Sequence, residues 1–88
     1  WRIVSRLQKT SIDVIENLYR GNYEHDVALR LKYQTGAAVS LNLLDFYAET
    51  AKTKQAISLR QMAILARGIT ECKKLLSGWI KSTKQSKN

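Results

Sequence analysis

Proline is absent from this chain, and glycine stands only at Gly21, Gly36, Gly68 and Gly78. So few breakers favour long helices over a many-turned β fold. Cys72 is the single cysteine, which excludes an internal disulfide and any multi-cysteine metal site. No apolar run approaches the roughly 20 residues of a membrane span, and no signal-peptide pattern is visible. The expectation is a soluble cytoplasmic protein with no membrane partner. Methionine is missing from the start, where Trp1 stands instead, so a further segment is expected ahead of it. The 88 residues read as one domain, 1–88. A domain of this size buries only roughly 60–65% of its unfolded surface, so association with other copies would help it.

Acidic residues are nearly lacking from the second half of the chain. Residues 1–51 balance Arg2, Arg6, Lys9, Arg20, Arg30 and Lys32 against Asp13, Glu16, Glu24, Asp26, Asp45 and Glu49. Residues 52–88 set Lys52, Lys54, Arg60, Arg67, Lys73, Lys74, Lys81, Lys84 and Lys87 against Glu71 alone. The whole formal charge of +8 therefore lies in that last part. Charge so one-sided argues for a polyanionic partner. The competing reading is that it serves solubility.

Apolar spacing predicts three helices, over about 2–20, 26–51 and 59–82, followed by a basic tail at 83–88. In the first, Val4, Leu7, Val14, Ile15 and Leu18 form one stripe, with Ser11 in its gap and charged residues opposite. Gly21 is the expected stop. The second is apolar on most of its circumference, from Val27 through Leu41, Leu44, Phe46 and Tyr47 to Ala51. A helix so apolar needs cover on two or more sides, and Gly36-Ala37-Ala38 would let a neighbour come close. The third opens with a capping box, Ser58 and Gln61, with Ile57 and Met62 as its hydrophobic staple. Met62, Leu65, Ile69, Cys72, Leu76 and Trp79 then step by threes and fours as a packing seam. Arg60, Arg67, Lys74 and Lys81 recur every seven residues on another face, roughly 10 Å apart, and Lys84 and Lys87 extend the series. The fold class is all-α, an antiparallel up-and-down helical bundle with loops at 21–25 and 52–57.

Chemistry-bearing constellations are few. Glu24-His25-Asp26 joins imidazole to carboxylates, but neighbours in a helix-starting loop cannot converge on one centre, and no second histidine completes a metal set. Asp26 or Asn22 is read instead as a cap of the second helix, with Glu24 at its positive end. Cys72, in the seam, is read as a buried inert thiol. No phosphate loop, dinucleotide turn or Ser/His/Asp spacing occurs, so the reading assigns no catalytic residue, metal or cofactor. Tyr19, Tyr23, Tyr33 and Tyr47 could stack on bases, although packing explains them as well. The cations suit phosphate contact without base readout, hence recognition of RNA or DNA by shape and charge.

The stretch "LLSGWIKS", with Leu76, Ser77, Gly78, Trp79 and Ile80, resembles the signature that ends the last helix of the accessory variability determinant (Avd) proteins of diversity-generating retroelements. "ISLRQMAILARGITECKKLLSGWI", "LRLKYQTGAAVSLNLLDFYAETAK" and "RIVSRLQKTSIDVIENLYRGN" are similar to that family's last, third and second helices. Ser77 stands where the family commonly has glycine. The resemblance implies a four-helix bundle whose first helix precedes Trp1, assembled as a homopentameric barrel. It also implies a non-catalytic bacterial, archaeal or phage-encoded protein that binds a reverse transcriptase and nucleic acid and supports mutagenic complementary-DNA synthesis. Family function tied to basic surface residues carries over onto Arg60, Arg67, Lys73, Lys74 and Lys81. Trp79 is expected as a packing anchor, with Ser77 and Gly78 leaving room for a neighbouring helix. Two rivals stand beside this reading. One is the related bundle encoded within ribosomal-RNA intervening sequences, with no polymerase partner. The other is a structural oligomer without a nucleic-acid role.

Overall fold

A computed structural model describes residues 2–86 of the protein. It is all-α: α1 spans Arg2–Tyr23, α2 Val27–Thr53 and α3 Leu59–Gln85. All three expected helices form, and each runs beyond its expected end. Trp1 and Lys87 lie outside the described residues, as does the last part of the expected tail. Residues 83–85, read as tail, are the last turn of α3, and Thr83 within it is buried.

Gly21 does not stop α1. It sits inside the helix, buried, where a Cβ would meet the Tyr33 Cβ at 3.4 Å and the Gln34 Cγ at 3.6 Å. Its lack of a side chain serves close approach of α2, which is why the first loop shrinks to residues 24–26. Gly36 plays the reciprocal part, with Asn17 Oδ1 only 3.1 Å from where its Cβ would be. Asp26 caps α2, its Oδ2 accepting from the Leu29 amide at 3.0 Å, and Glu24 Oε1 accepts from the Asp26 amide. The capping box of α3 is complete: the Gln61 amide donates to Ser58 Oγ at 3.0 Å, and the Ser58 amide to Gln61 Oε1 at 2.8 Å. Both staple residues, Ile57 and Met62, pack into the core.

The end of α2 uses a device that the sequence conceals. Gln55 adopts a left-handed conformation, φ 58°. The Ala56 amide then donates to the Ala51 carbonyl at 2.8 Å, and the Gln55 amide to the Lys52 carbonyl at 3.0 Å. These two bonds form a Schellman motif built on glutamine rather than the usual glycine.

Helix α2 packs against both α1 and α3, whereas no Cα atoms of α1 and α3 come within 8 Å of each other. Gly21 lies by Gln34, Asn17 by Gly36 and Arg6 by Tyr47, so α1 and α2 run in opposite directions. The buried positions repeat every seven residues. They are Leu7, Val14 and Gly21, with Thr10, on α1; Gln34, Leu41 and Ala48, with Ala37, Leu44 and Ala51, on α2; and Met62, Ile69, Leu76 and Thr83 on α3. Such heptads are the mark of side chains interlocking between helices at small crossing angles. Ala37, Ala48 and Ala51 are fully buried, so the backbones approach closely along α2.

Three apolar surfaces are left open, the first two of them against expectation. Ile15, assigned to the core stripe, is 64% exposed, together with Ile12 and Tyr19 on the same side of α1. Cys72 and Trp79, assigned to the α3 seam, are exposed as well, Trp79 by 50%. The third is the outer face of α2, where Val39, Leu43 and Phe46 are open to solvent. One neighbour therefore covers each outer helix, although each carries apolar surface enough for two.

Candidate functional site

The arrangement of α3 follows from its two interleaved heptads. Arg60, Arg67, Lys74 and Lys81 each precede a buried residue by two positions: Met62, Ile69, Leu76 and Thr83. Two residues of α-helix turn the chain by about 200°, so each cation points away from the core residue that follows it. All four are exposed, and among the described residues none has a carboxylate within salt-bridge distance. A seven-residue repeat drifts by only about 20° per turn of the pattern, which keeps the four within roughly 60° of arc. Their rise from first to last is about 32 Å.

Small side chains fill the positions along one flank of the row, while Ile64 and Glu71, both exposed, stand on the other. Ala63 lies between Arg60 and Arg67, Thr70 between Arg67 and Lys74, and Ser77 with Gly78 between Lys74 and Lys81, all exposed. A Cβ added at Gly78 would meet nothing within 4 Å. Gly78 thus makes no room for a helix of this chain, whereas Ser77, although exposed, borders a cavity against Ala38, Leu41 and Asn42 of α2. Lys84, also exposed, continues the cations one turn further.

Lys73 behaves differently. Its Nζ lies 3.4 Å from Asp45 Oδ2 on α2, the one salt bridge among the described residues. It was grouped with the other cations because Glu71 was the only acid nearby in sequence; the partner comes from 28 residues away. Both side chains remain partly exposed, so the pair contributes less than about 1 kcal/mol. It nonetheless ties Lys73 to the α2–α3 junction rather than to the outward ridge.

Trp79 sits on the other side of α3, at the edge of the gap between α1 and α3. Together with Leu18, Gln34 and Thr83 it borders a cavity of about 280 Å³. Gln34 is 6% exposed, and its Oε1 has no hydrogen-bond partner. Leu76 is buried and Ile80 half-buried, so within the "LLSGWI" stretch these two do the packing, while Trp79 is left partly uncovered.

The acidic trio around His25 is occupied with capping: Glu24 and Asp26 accept backbone amides, and His25 is exposed. Among the described residues no group of three His, Cys, Asp or Glu could hold a metal ion, and no helix is long and apolar enough to cross a membrane. Tyr19 and Tyr23 stack on each other with ring centroids 4.8 Å apart, and the Arg6 guanidinium lies 5.9 Å from the Tyr47 ring centre.

Comparison with protein-family models, with curated proteins and with solved structures returns no match for this chain.

Proposed function

We propose that this protein is a non-catalytic nucleic-acid-binding accessory of a diversity-generating retroelement, engaging polyphosphate through the outer face of α3 and binding the element's reverse transcriptase. One observation carries the nucleic-acid part. Arg60, Arg67, Lys74 and Lys81 form an exposed ridge on the side of α3 opposite its core, with Glu71 the one acid beside it and, among the described residues, no ion pair to any of the four. Aligned cations of this kind release condensed counterions from a phosphate backbone, which is where most sequence-independent affinity comes from. The polymerase partner rests on the resemblance of the "LLSGWIKS" stretch.

The same resemblance supplies the assembly, a four-helix bundle in a homopentameric barrel. Two features support it: apolar side chains flank the gap between α1 and α3, where a fourth helix would lie, and Val39, Leu43 and Phe46 offer α2 an outer apolar face.

Titration of a labelled RNA or DNA at several salt concentrations tests the nucleic-acid part. With about five phosphates engaged, log affinity should fall against log salt with a slope near −4 to −5. Replacing Arg67, Lys74 and Lys81 together by alanine should reduce that slope by about three while helicity is retained. A flat salt response in the parent protein leaves only the structural-oligomer reading. The partner is tested by whether a reverse transcriptase is encoded beside the gene and co-purifies with the protein; a neighbourhood without one overturns that part.

A further inference from the structure

We infer that the α3 ridge is built for double-stranded rather than single-stranded nucleic acid, an inference that rests on the nucleic-acid reading above. Three observations lead there. The first is the fixed lattice of charge: four cations roughly 10 Å apart on one unbroken helix, together spanning about 32 Å. That length is close to one turn of a duplex, about 34–36 Å. A duplex presents its phosphates at set positions, so a rigid row of charges meets it without having to order it first.

The second observation is the surface beside the cations. On one flank of the row Ala63 and Thr70 leave the helix thin, so the long basic side chains stand clear of it there and the backbone of α3 can come near the phosphates, while Ile64 and Glu71 occupy the other flank. A bulky residue in place of Ala63 or Thr70 would hold the duplex away and shorten the reach of the cations on either side.

The third is what the ridge omits. Binders of single strands pair a basic groove with aromatic side chains on which unstacked bases lie, and this stacking repays much of the cost of ordering a flexible strand. No aromatic residue lies between Arg60 and Lys81 on this face. Trp79 is turned at least about 100° away around the helix. Tyr19, Tyr23 and Phe46 belong to α1 and α2. A single strand would find charge on this surface but nothing to hold its bases.

The deciding experiment compares the full chain against a labelled 20-base-pair RNA duplex, a 20-base-pair DNA duplex, and unstructured oligo-U and oligo-dT of equal length, at one salt concentration. Duplexes should bind at least about 10-fold more tightly. The double variant Ala63→Gln, Thr70→Gln leaves every charge and the helix in place, with circular dichroism as the control. It should weaken duplex binding several-fold and change single-strand binding little. Equal or tighter binding of the single strands overturns the inference while leaving the nucleic-acid reading intact, as does unchanged duplex affinity in the glutamine variant. Absence of salt-dependent binding to all four probes overturns both.

Discussion

Gln55 holds the most costly backbone conformation in the described chain, since a residue with a Cβ at positive φ is disfavoured by roughly 1–2 kcal/mol. Its two amide bonds, to Lys52 and through Ala56 to Ala51, close the carboxyl end of α2 and turn the chain toward α3. Gln55→Gly should therefore stabilise the protein by about 0.5–1 kcal/mol, the relief of strain being partly offset by the greater freedom of glycine when unfolded. Urea denaturation of the two proteins checks this, and loss of stability on substitution would show that the glutamine side chain holds a contact of its own. The residue scale also shows where sequence reading stopped. Ser58 with Gln61 could be read because both partners of a capping box lie within one turn. The αL turn could not, because glutamine carries no preference for it and its cause is the need to bring α3 back onto α2.

At the scale of the element, the heptads were legible and their neighbours were not. Periodicity along α3 showed that Met62, Ile69 and Leu76 share a side, and that the cations recur on another. It could not say how wide an arc the neighbouring helix covers, so Cys72 and Trp79 were grouped with the core although they lie at its uncovered margin. Ile15 on α1 was misplaced for the same reason. The pairing of Lys73 with Asp45 could not be read either, because that carboxylate is remote in sequence, beyond any periodic pattern. What begins α3 is local and can be tested locally. Ser58→Ala removes an acceptor from the Gln61 amide and should cost about 1 kcal/mol, measured as a lower urea midpoint with an unchanged m-value. A neutral result would mean that the staple of Ile57 and Met62 alone fixes the start of the helix.

On the scale of the whole molecule, polarity is divided among surfaces. The outer side of α3 is cationic, the outer side of α2 carries Val39, Leu43 and Phe46, Ile15 is exposed on α1, and Trp79 is half-exposed beside the cavity between α1 and α3. Exposed apolar area of this extent marks surfaces that a small protein covers by association. A homopentamer of the 10.1-kDa chain should run at about 50 kDa by light scattering. Phe46→Lys should shift that mass downward if the outer face of α2 is the subunit contact, and an unaltered mass would move the contact elsewhere. One-sidedness of charge was visible in the order of residues alone. The division of apolar surface into a covered seam and two open ones required knowing which helices touch.

Helices α1 and α3 come together only around the cavity bordered by Leu18 and Trp79, so most of what couples them runs by way of α2. Anything lodged between them acts as a strut. It would brace α3 along its length, and the stiffness of the cation row would then depend on a segment that never touches phosphate. Occupancy of the gap and grip on a polyanion would in that way become linked, each favouring the other.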